Sequence, residues 1–157
     1  MTDINDEFIN PFLIATAGIL KDMCQIDLKV EKPYIKMNEF ADDSILIMIG
    51  VTGEMRGQVI IALTILNACD VASKMMMGMP VTELNDISIS AISELGNMIM
   101  GNTATILSTK GIGIDITPPT ICRGNISITT AYAKNICIPF SHENKVVMEL
   151  DIAVKGE

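Results

Sequence analysis

The feature that most constrains this fold is a long helical repeat from Leu84 or Asp86 to about Ser108. One face of it is apolar and comprises Ile89, Ile92, Leu95, Ile99, Met100, Ile106 and Leu107. The opposite face is small or polar and comprises Asp86, Ser90, Glu94, Asn97, Gly101 and Thr105. This spacing predicts an amphipathic helix that is anchored on a core and open on its other side, with Asp86 as the N-cap.

Glu94 and Asn97 are the two prominent side chains on the open face. Their spacing places them one turn apart and about 60° apart around the helix axis. Asn is a poor residue for an exposed position in the middle of a helix, so its presence there favours a function. Solvated helix faces carry the same residue types, so the pair alone is a weak signal. We interpret the pair as a candidate functional surface.

The composition excludes several classes of protein. The 157 residues favour a single domain over 1–157, and 49% apolar residues exclude intrinsic disorder. A net charge of −8 without a basic run argues against nucleic-acid binding. The acidic N-terminus does not resemble a signal peptide, and apolar stretches of about ten residues are too short to span a bilayer. We therefore expect a cytoplasmic protein with no membrane or nucleic-acid partner.

The rest of the chain predicts a mixture of helices and antiparallel strands. The segments 4–24 and 66–77 have helical spacing, and Pro11 either lies in a first turn capped by Asn10 or kinks a longer helix. Strands are predicted at 26–37, 44–51, 58–65, 134–140 and 145–154, with hairpin turns at 52–57 and 141–144. Pro33 indicates a sheet edge or a bulge. The order of helix, strand and hairpin recurs loosely in the two halves.

The sequence contains no complete motif for nucleotide binding, nucleophilic catalysis or metal binding. The chain has no P-loop, dinucleotide fingerprint or nucleophile elbow. Its four Cys residues lack a CxxC pair, and its one His, His142, is expected on the surface, so we predict neither a metal site nor a bound cofactor. The Met cluster at 75–79 mainly indicates core filling, and an adaptable binding surface is the alternative.

Several motifs resemble the CheC/CheX/FliY phosphatases of bacterial chemotaxis. Ser90-x3-Glu94-x2-Asn97, followed by Pro119, resembles the family signature. Further similar segments are Asn10-Pro11-Phe12, Gly101-Asn102 and Ile138-Pro139-Phe140, so the resemblance covers nearly the whole chain. CheC-type members carry two such helices, whereas here we identify one Glu-x-x-Asn and none in the first-half helix from about Asn10 to Gln25. The single motif is similar to the CheX branch.

The resemblance implies an α/β (α+β) fold with a long antiparallel sheet flanked by two long helices, in a homodimer that exchanges β-structure. It also implies that the substrate is a phosphorylated CheY-type response regulator, which brings its own Mg²⁺ and Lys. Asn97 would then orient the attacking water, and Glu94 would anchor that Lys. Ser90 and Gly101 would border the contact, and Pro119 would shape the scaffold.

Two other functions stay open at this point. Related domains in flagellar switch proteins bind without this motif, so a non-catalytic adaptor for response regulators is the main alternative. A small-ligand sensor with a Met-lined pocket is the third, and it rests on composition alone.

Overall fold

A computed structural model of the chain describes residues 2–3, 6–35, 38–128 and 135–156. Its helices and strands are β1 (Thr2–Asp3), α1 (Asp6–Cys24), β2 (Lys29–Val30), β3 (Tyr34–Ile35), β4 (Asn38–Phe40), β5 (Ser44–Gly53), β6 (Met55–Thr64), α2 (Ile65–Met75), α3 (Asp86–Thr109), β7 (Ile114–Ile116), β8 (Thr120–Arg123), β9 (Ile126–Ile128), β10 (Ile136–His142) and β11 (Lys145–Gly156). The predicted mixed α/β class is confirmed.

A nine-stranded sheet organises the fold, and its strands pair antiparallel throughout. The main path runs β2-β10-β11-β6-β5-β7, with β1 on β11, β3 on β10 and β8 on β5. The central ladder joins β6 to β11 in a continuous register from Ala62 opposite Glu149 to Met55 opposite Gly156. Strands β4 and β9 form a separate two-stranded sheet.

The two faces of the large sheet are covered differently. Alternate residues of β5, including Ile45, Ile47 and Ile49, pack with residues of all three helices in the main core. The intervening Leu46 packs with Ile60 and Phe40 in a smaller cluster beside the β4–β9 sheet. The two long helices that the resemblance implies are α1 and α3, which both contribute to the main core.

The predicted strands and turns differ from the structure mainly in length. Within 26–35, the described part of the predicted strand 26–37, Pro33 separates β2 from β3, which both pair with β10 at the edge of the sheet. Residues 36 and 37 lie outside the described part. The first predicted hairpin is confirmed, although its turn is much shorter than 52–57. The second turn is only Glu143 and Asn144, with φ of 51° and 65°, the left-handed values that a two-residue hairpin turn uses.

Helix α1 follows the second of the two predictions for Pro11. The helix begins at Asp6, so Pro11 lies inside it rather than in a turn capped by Asn10. Because Pro has no N–H, the usual helical hydrogen bond to the Glu7 carbonyl cannot form. The first turn of α1 is therefore held less firmly than a turn in an uninterrupted helix. The predicted residues 4 and 5 of this helix lie outside the described part.

Gly96 seats α3 directly on the sheet. A Cβ at this position would lie 2.8 Å from Cγ2 of Ile47, and Ile49 and Ile61 are the next neighbours. All three Ile side chains are buried, so none can move aside into solvent. Since Gly96 lies between Glu94 and Asn97 in the chain, this close approach fixes the height of both side chains above the sheet.

The N-terminus of α3 is capped by Asn85, not by Asp86 as predicted. The Asn85 side-chain oxygen accepts from the Ser88 N–H at 2.9 Å, and the Ser88 hydroxyl accepts from the Asn85 N–H at 2.7 Å. This reciprocal pair is a capping box, with Ser in the place that Glu or Gln usually takes. Asp86 is the first helical residue, where its negative charge interacts favourably with the positive end of the helix dipole.

Replacing the N-cap residue Asn85 should lower the stability of the protein more than replacing Asp86. We expect Asn85→Ala to reduce the free energy of unfolding by about 1 kcal/mol, because the Ser88 N–H loses its side-chain acceptor. Asp86→Ala should cost only about 0.3 kcal/mol, the contribution of an exposed charge near a helix N-terminus. Urea denaturation of both variants measures the difference, and a larger loss for Asp86→Ala would contradict the assignment of the cap.

Enlarging Gly96 should separate helix from sheet. Overpacking a buried contact costs about 1–3 kcal/mol, which exceeds the gain of about 1 kcal/mol for Ala over Gly in a helix. We therefore expect Gly96→Ala to destabilise the protein. The matched control is Gly101→Ala in the same helix, because a Cβ at Gly101 would meet nothing within 4 Å. This variant should stabilise the protein. Equal thermal shifts for the two variants would show that the close approach at Gly96 is unimportant.

Candidate functional site

Glu94 and Asn97 lie on the side of α3 that faces away from the sheet. Glu94 is exposed and Asn97 is half-buried, whereas Leu95 and Gly96 between them are buried. Within the described part of the chain, neither the Glu94 carboxylate nor the Asn97 carboxamide has a hydrogen-bond or ion-pair partner. Both groups are therefore available to another molecule, while the backbone that carries them is fixed by the core.

The neighbours of the pair lie where the helical pattern predicted. Ser90 and Thr105 are exposed and Gly101 is half-buried, so the open face continues on both sides of the pair. The Thr105 hydroxyl donates to the Gly101 carbonyl within the helix. Pro119 lies in the connection between β7 and β8.

Charge distinguishes this part of the surface. From Met75 to Thr109 the chain has no Lys or Arg, and its charged residues are Glu83, Asp86 and Glu94. All three carboxylates belong to exposed residues. A surface of one sign favours a partner that presents a cation. The helical spacing alone does not reveal this charge pattern, although the sequence contains it.

Ile87 is a second feature that the helical pattern did not reveal. It lies seven residues before Glu94, which places it on nearly the same side of the helix, and its side chain is 69% exposed. An apolar side chain on an otherwise small and acidic helix face adds a hydrophobic contact to this surface. The apolar face predicted from the sequence did not include Ile87, and the structure shows that its side chain is exposed.

The cysteines form no reactive site. Cys24, Cys69 and Cys137 are buried and Cys122 is half-buried, as expected for small apolar residues. Burial raises the pKa of the Cys24 thiol to about 11 and also raises the pKa of Cys137. Both thiols are therefore protonated at neutral pH and are poor nucleophiles.

One cluster could offer several ligands to a metal ion. Ligand atoms of Cys137, Glu149 and Asp151 lie within 4.8 Å of one another, and no other such group occurs among the residues that the structure describes. Their register partners Ile60 and Ala62 belong to the smaller cluster, so this group lies on the sheet face away from α3. It is thus separate from the Glu94–Asn97 surface.

The Met cluster divides into two parts. Met75 and Met76 pack against the core, as the main prediction for this cluster requires. Met77 and Met79 are 97% and 63% exposed, so for them core filling is wrong. Two grooves of about 290 and 610 Å³ lie elsewhere, and no residue of 75–79 lines either one. The Met cluster therefore lines neither of these two grooves.

His142 contacts the connection between α1 and β2. His142 is half-exposed in β10, not in the turn, and its Nδ1 lies 2.9 Å from the Asp27 carbonyl oxygen. No helix in the described part of the chain is long and apolar enough to cross a membrane.

The statement that the first-half helix lacks a Glu-x-x-Asn is wrong. Because α1 begins at Asp6, Glu7 and Asn10 are both helical, and they have the same three-residue spacing as Glu94 and Asn97. The motif was sought in the sequence only from about Asn10 to Gln25, one of the two placements that Pro11 allows, so Glu7 was not included. Both Glu7 and Asn10 are exposed.

Comparisons with known proteins agree with the resemblance. The family model for the chemotaxis phosphatase CheX matches residues 45–141. The CheY-P phosphatase CheX of Thermotoga maritima is 31% identical over 148 residues, which cover 94% of this chain and 96% of that protein.

Solved structures show the same relationship. A CheC-like superfamily protein from Shewanella sp. PV-4 has a TM-score of 0.86 and 28% identity, over 98% of this chain and 100% of that one. A chain of the CheX–CheY–BeF3–Mg²⁺ complex from Borrelia burgdorferi has a TM-score of 0.77 and 30% identity, over 94% and 97%. The family model covers more than half of the sequence and a full-length relative exceeds 30% identity, so this chain belongs to the CheX family of chemotaxis phosphatases.

Proposed function

We propose that this protein hydrolyses the aspartyl-phosphate of a phosphorylated CheY-type response regulator, called the regulator below. The observation that carries the proposal is the pair on α3, a carboxylate and a carboxamide that face outward without partners in the described chain. A relative in the same family is a CheY-P phosphatase, and another was crystallised with CheY.

The reaction needs a water molecule in line with the phosphorus–oxygen bond and neutralisation of charge on the phosphoryl group. Nothing on the open face of α3 supplies a cation, so Mg²⁺ and a Lys come with the regulator. This chain supplies what remains, which is the position of the water. The active site is then shared between two proteins.

Asn97 is the residue that orients the water. A carboxamide donates and accepts hydrogen bonds without adding a negative charge beside the phosphoryl group. A Gln has the same task in several GTPases. The half-buried setting of Asn97 on a helix seated by Gly96 suits this role, because a misplacement of about 1 Å can slow a reaction about 100-fold.

Glu94 anchors the regulator. A carboxylate beside a phosphoryl group is repelled unless a cation lies between them. Pairing with the regulator's Lys supplies that cation and fixes the docking geometry. The acidic surface from Glu83 to Glu94 favours the same approach, and the exposed Ile87 adds an apolar contact.

Removing the Asn97 carboxamide should abolish hydrolysis but not binding. We expect Asn97→Ala to slow phosphatase-dependent decay of the phosphorylated regulator at least about 100-fold, since the water loses its orientation. Binding of a beryllofluoride-activated regulator should stay largely intact. Decay is followed with radiolabelled phosphate, and decay at the wild-type rate would refute the role. If the wild-type protein itself causes no acceleration, the non-catalytic adaptor is correct.

Removing the Glu94 carboxylate should chiefly weaken binding. Breaking a desolvated ion pair costs about 2 kcal/mol or more, so Glu94→Ala should weaken binding of the activated regulator at least about 30-fold. Isothermal titration calorimetry measures the affinity. The matched control is Asp22→Ala, an exposed carboxylate on α1 outside this acidic surface, which should have little effect. Unchanged affinity with a slower chemical step would contradict the anchoring role.

The proposal also covers the location, the cofactor content and the assembly of the protein. The protein is cytoplasmic, it binds no cofactor of its own, and it forms a homodimer that exchanges β-structure. The dimer stays a prediction that size-exclusion chromatography with light scattering can test.

A further inference from the structure

Nothing in the described chain accounts for the glycine at Gly101. It lies inside α3 and has no positive φ, so its backbone conformation does not require a glycine. A Cβ added to it would meet no atom within 4 Å, so the packing of the described chain does not require one either. Because Gly is among the poorest residues for a helix interior, this position weakens the helix without an evident return.

Gly96 shows by contrast what a glycine required by packing looks like in the same helix. A Cβ on Gly96 would lie 2.8 Å from Cγ2 of Ile47, a buried residue of the sheet. The two glycines are five residues apart, which places them about 140° apart around the helix axis. Gly96 therefore brings α3 close to the sheet, whereas Gly101 leaves the backbone uncovered on another side of the helix.

The position of Gly101 relative to the candidate pair points to a partner. It follows Asn97 by four residues and Glu94 by seven, so the three residues share one side of the helix. Their directions around the helix axis span about 60°, and Gly101 lies between the other two. A partner that contacts both Glu94 and Asn97 therefore also covers Gly101.

The short reach of the Asn97 side chain makes this neighbour important. Its carboxamide is only two carbon–carbon bonds from Cα, and it must come within about 3 Å of a water molecule to form a hydrogen bond. If that water lies in the active site of the regulator, the surface of the regulator must approach the backbone of α3 closely. A long side chain one turn after Asn97 would hold the two proteins apart, and a glycine does not.

Few atoms project from the helix beyond Gly101. The Thr105 hydroxyl donates to the Gly101 carbonyl at 3.1 Å, and the Ser108 hydroxyl donates to the Thr105 carbonyl at 2.7 Å. These bonds hold both hydroxyls against the backbone of the helix. Met98 lies near the same side, but its half-buried side chain packs against the main core. The surface that a partner can approach closely thus extends from Asn97 toward the end of α3.

We propose that Gly101 is the point of closest approach between α3 and the regulator, and that its missing side chain makes it a specificity-determining position of the shared active site. This inference rests on the proposed function, because it places the regulator on Glu94 and Asn97. A regulator with a flat surface beside its phosphoryl group lies directly on the backbone of Gly101. A regulator with a bulky side chain there is held away, and Asn97 does not reach the water.

Adding a side chain at Gly101 tests the inference. In titration calorimetry with beryllofluoride-activated regulator, we expect Gly101→Ala to weaken binding about 5-fold or more and Gly101→Gln about 100-fold or more, as overpacking of a close contact does. The free Gly101→Ala protein should unfold at a higher temperature than the wild type, because Ala favours the helix. A gain in stability together with a loss of affinity is not expected of a residue with a merely structural role.

Gly18 provides the matched control. It lies inside α1, it is half-buried like Gly101, and a Cβ on it would also meet nothing within 4 Å. Gly18→Ala therefore makes the same change in helix propensity away from the Glu94–Asn97 surface. We expect Gly18→Ala and Gly18→Gln to leave the affinity for the activated regulator unchanged.

Three results would overturn the inference. The first is wild-type affinity in both Gly101 variants. The second is equal weakening by Gly101→Ala and Gly18→Ala, which would assign the effect to helix rigidity. The third is a lower unfolding temperature for Gly101→Ala, which would show that the glycine serves the packing of this chain itself.

Phosphate decay separates this inference from the proposed function. If the wild-type protein does not accelerate decay of the phosphorylated regulator, the proposed hydrolysis is wrong. Titration of the Gly101 variants then still decides whether the regulator lies on this glycine, because binding is measured without turnover.

Discussion

The antiparallel ladder between β6 and β11 is the interaction on which the rest of this structure depends. It joins the hairpin of one half to the hairpin of the other, and every other strand of the large sheet attaches outward from it. Both strands contribute fully buried residues to the main core, among them Ile61, Leu150 and Ile152. The long helices lie over this platform, so the orientation of their outer faces follows from the register of two strands that are far apart in sequence.

Much of this architecture was predictable because its signals are local. The apolar period of α3, the hairpin of β5 and β6 and the edge position indicated by Pro33 all follow from side-chain patterns within short segments. The candidate pair was also predictable, since the spacing of Glu94 and Asn97 alone places them on one face of the helix.

The errors arose where two local signals compete or where a distant contact decides. Asn85 and Asp86 are both good capping residues, and only the backbone angles select between them. Pro11 fits either the first turn of a helix or the interior of a longer one, and only the structure shows that the helix begins at Asp6 and includes Glu7 and Asn10. The importance of Gly96 depends on Ile47, a residue of another strand, so no reading of the helix by itself could reveal it.

The segment from Met75 to Thr109 without a single Lys or Arg has a kinetic consequence. Its electric field reaches beyond contact distance and favours approach of a positively charged partner surface before any hydrogen bond forms. At physiological ionic strength the field is screened over about 8 Å, so dissolved salt alters how often the two proteins meet far more than how long they stay together. With the proposed function, the speed of signal termination would then depend on the ionic composition of the surroundings as well as on Glu94 and Asn97.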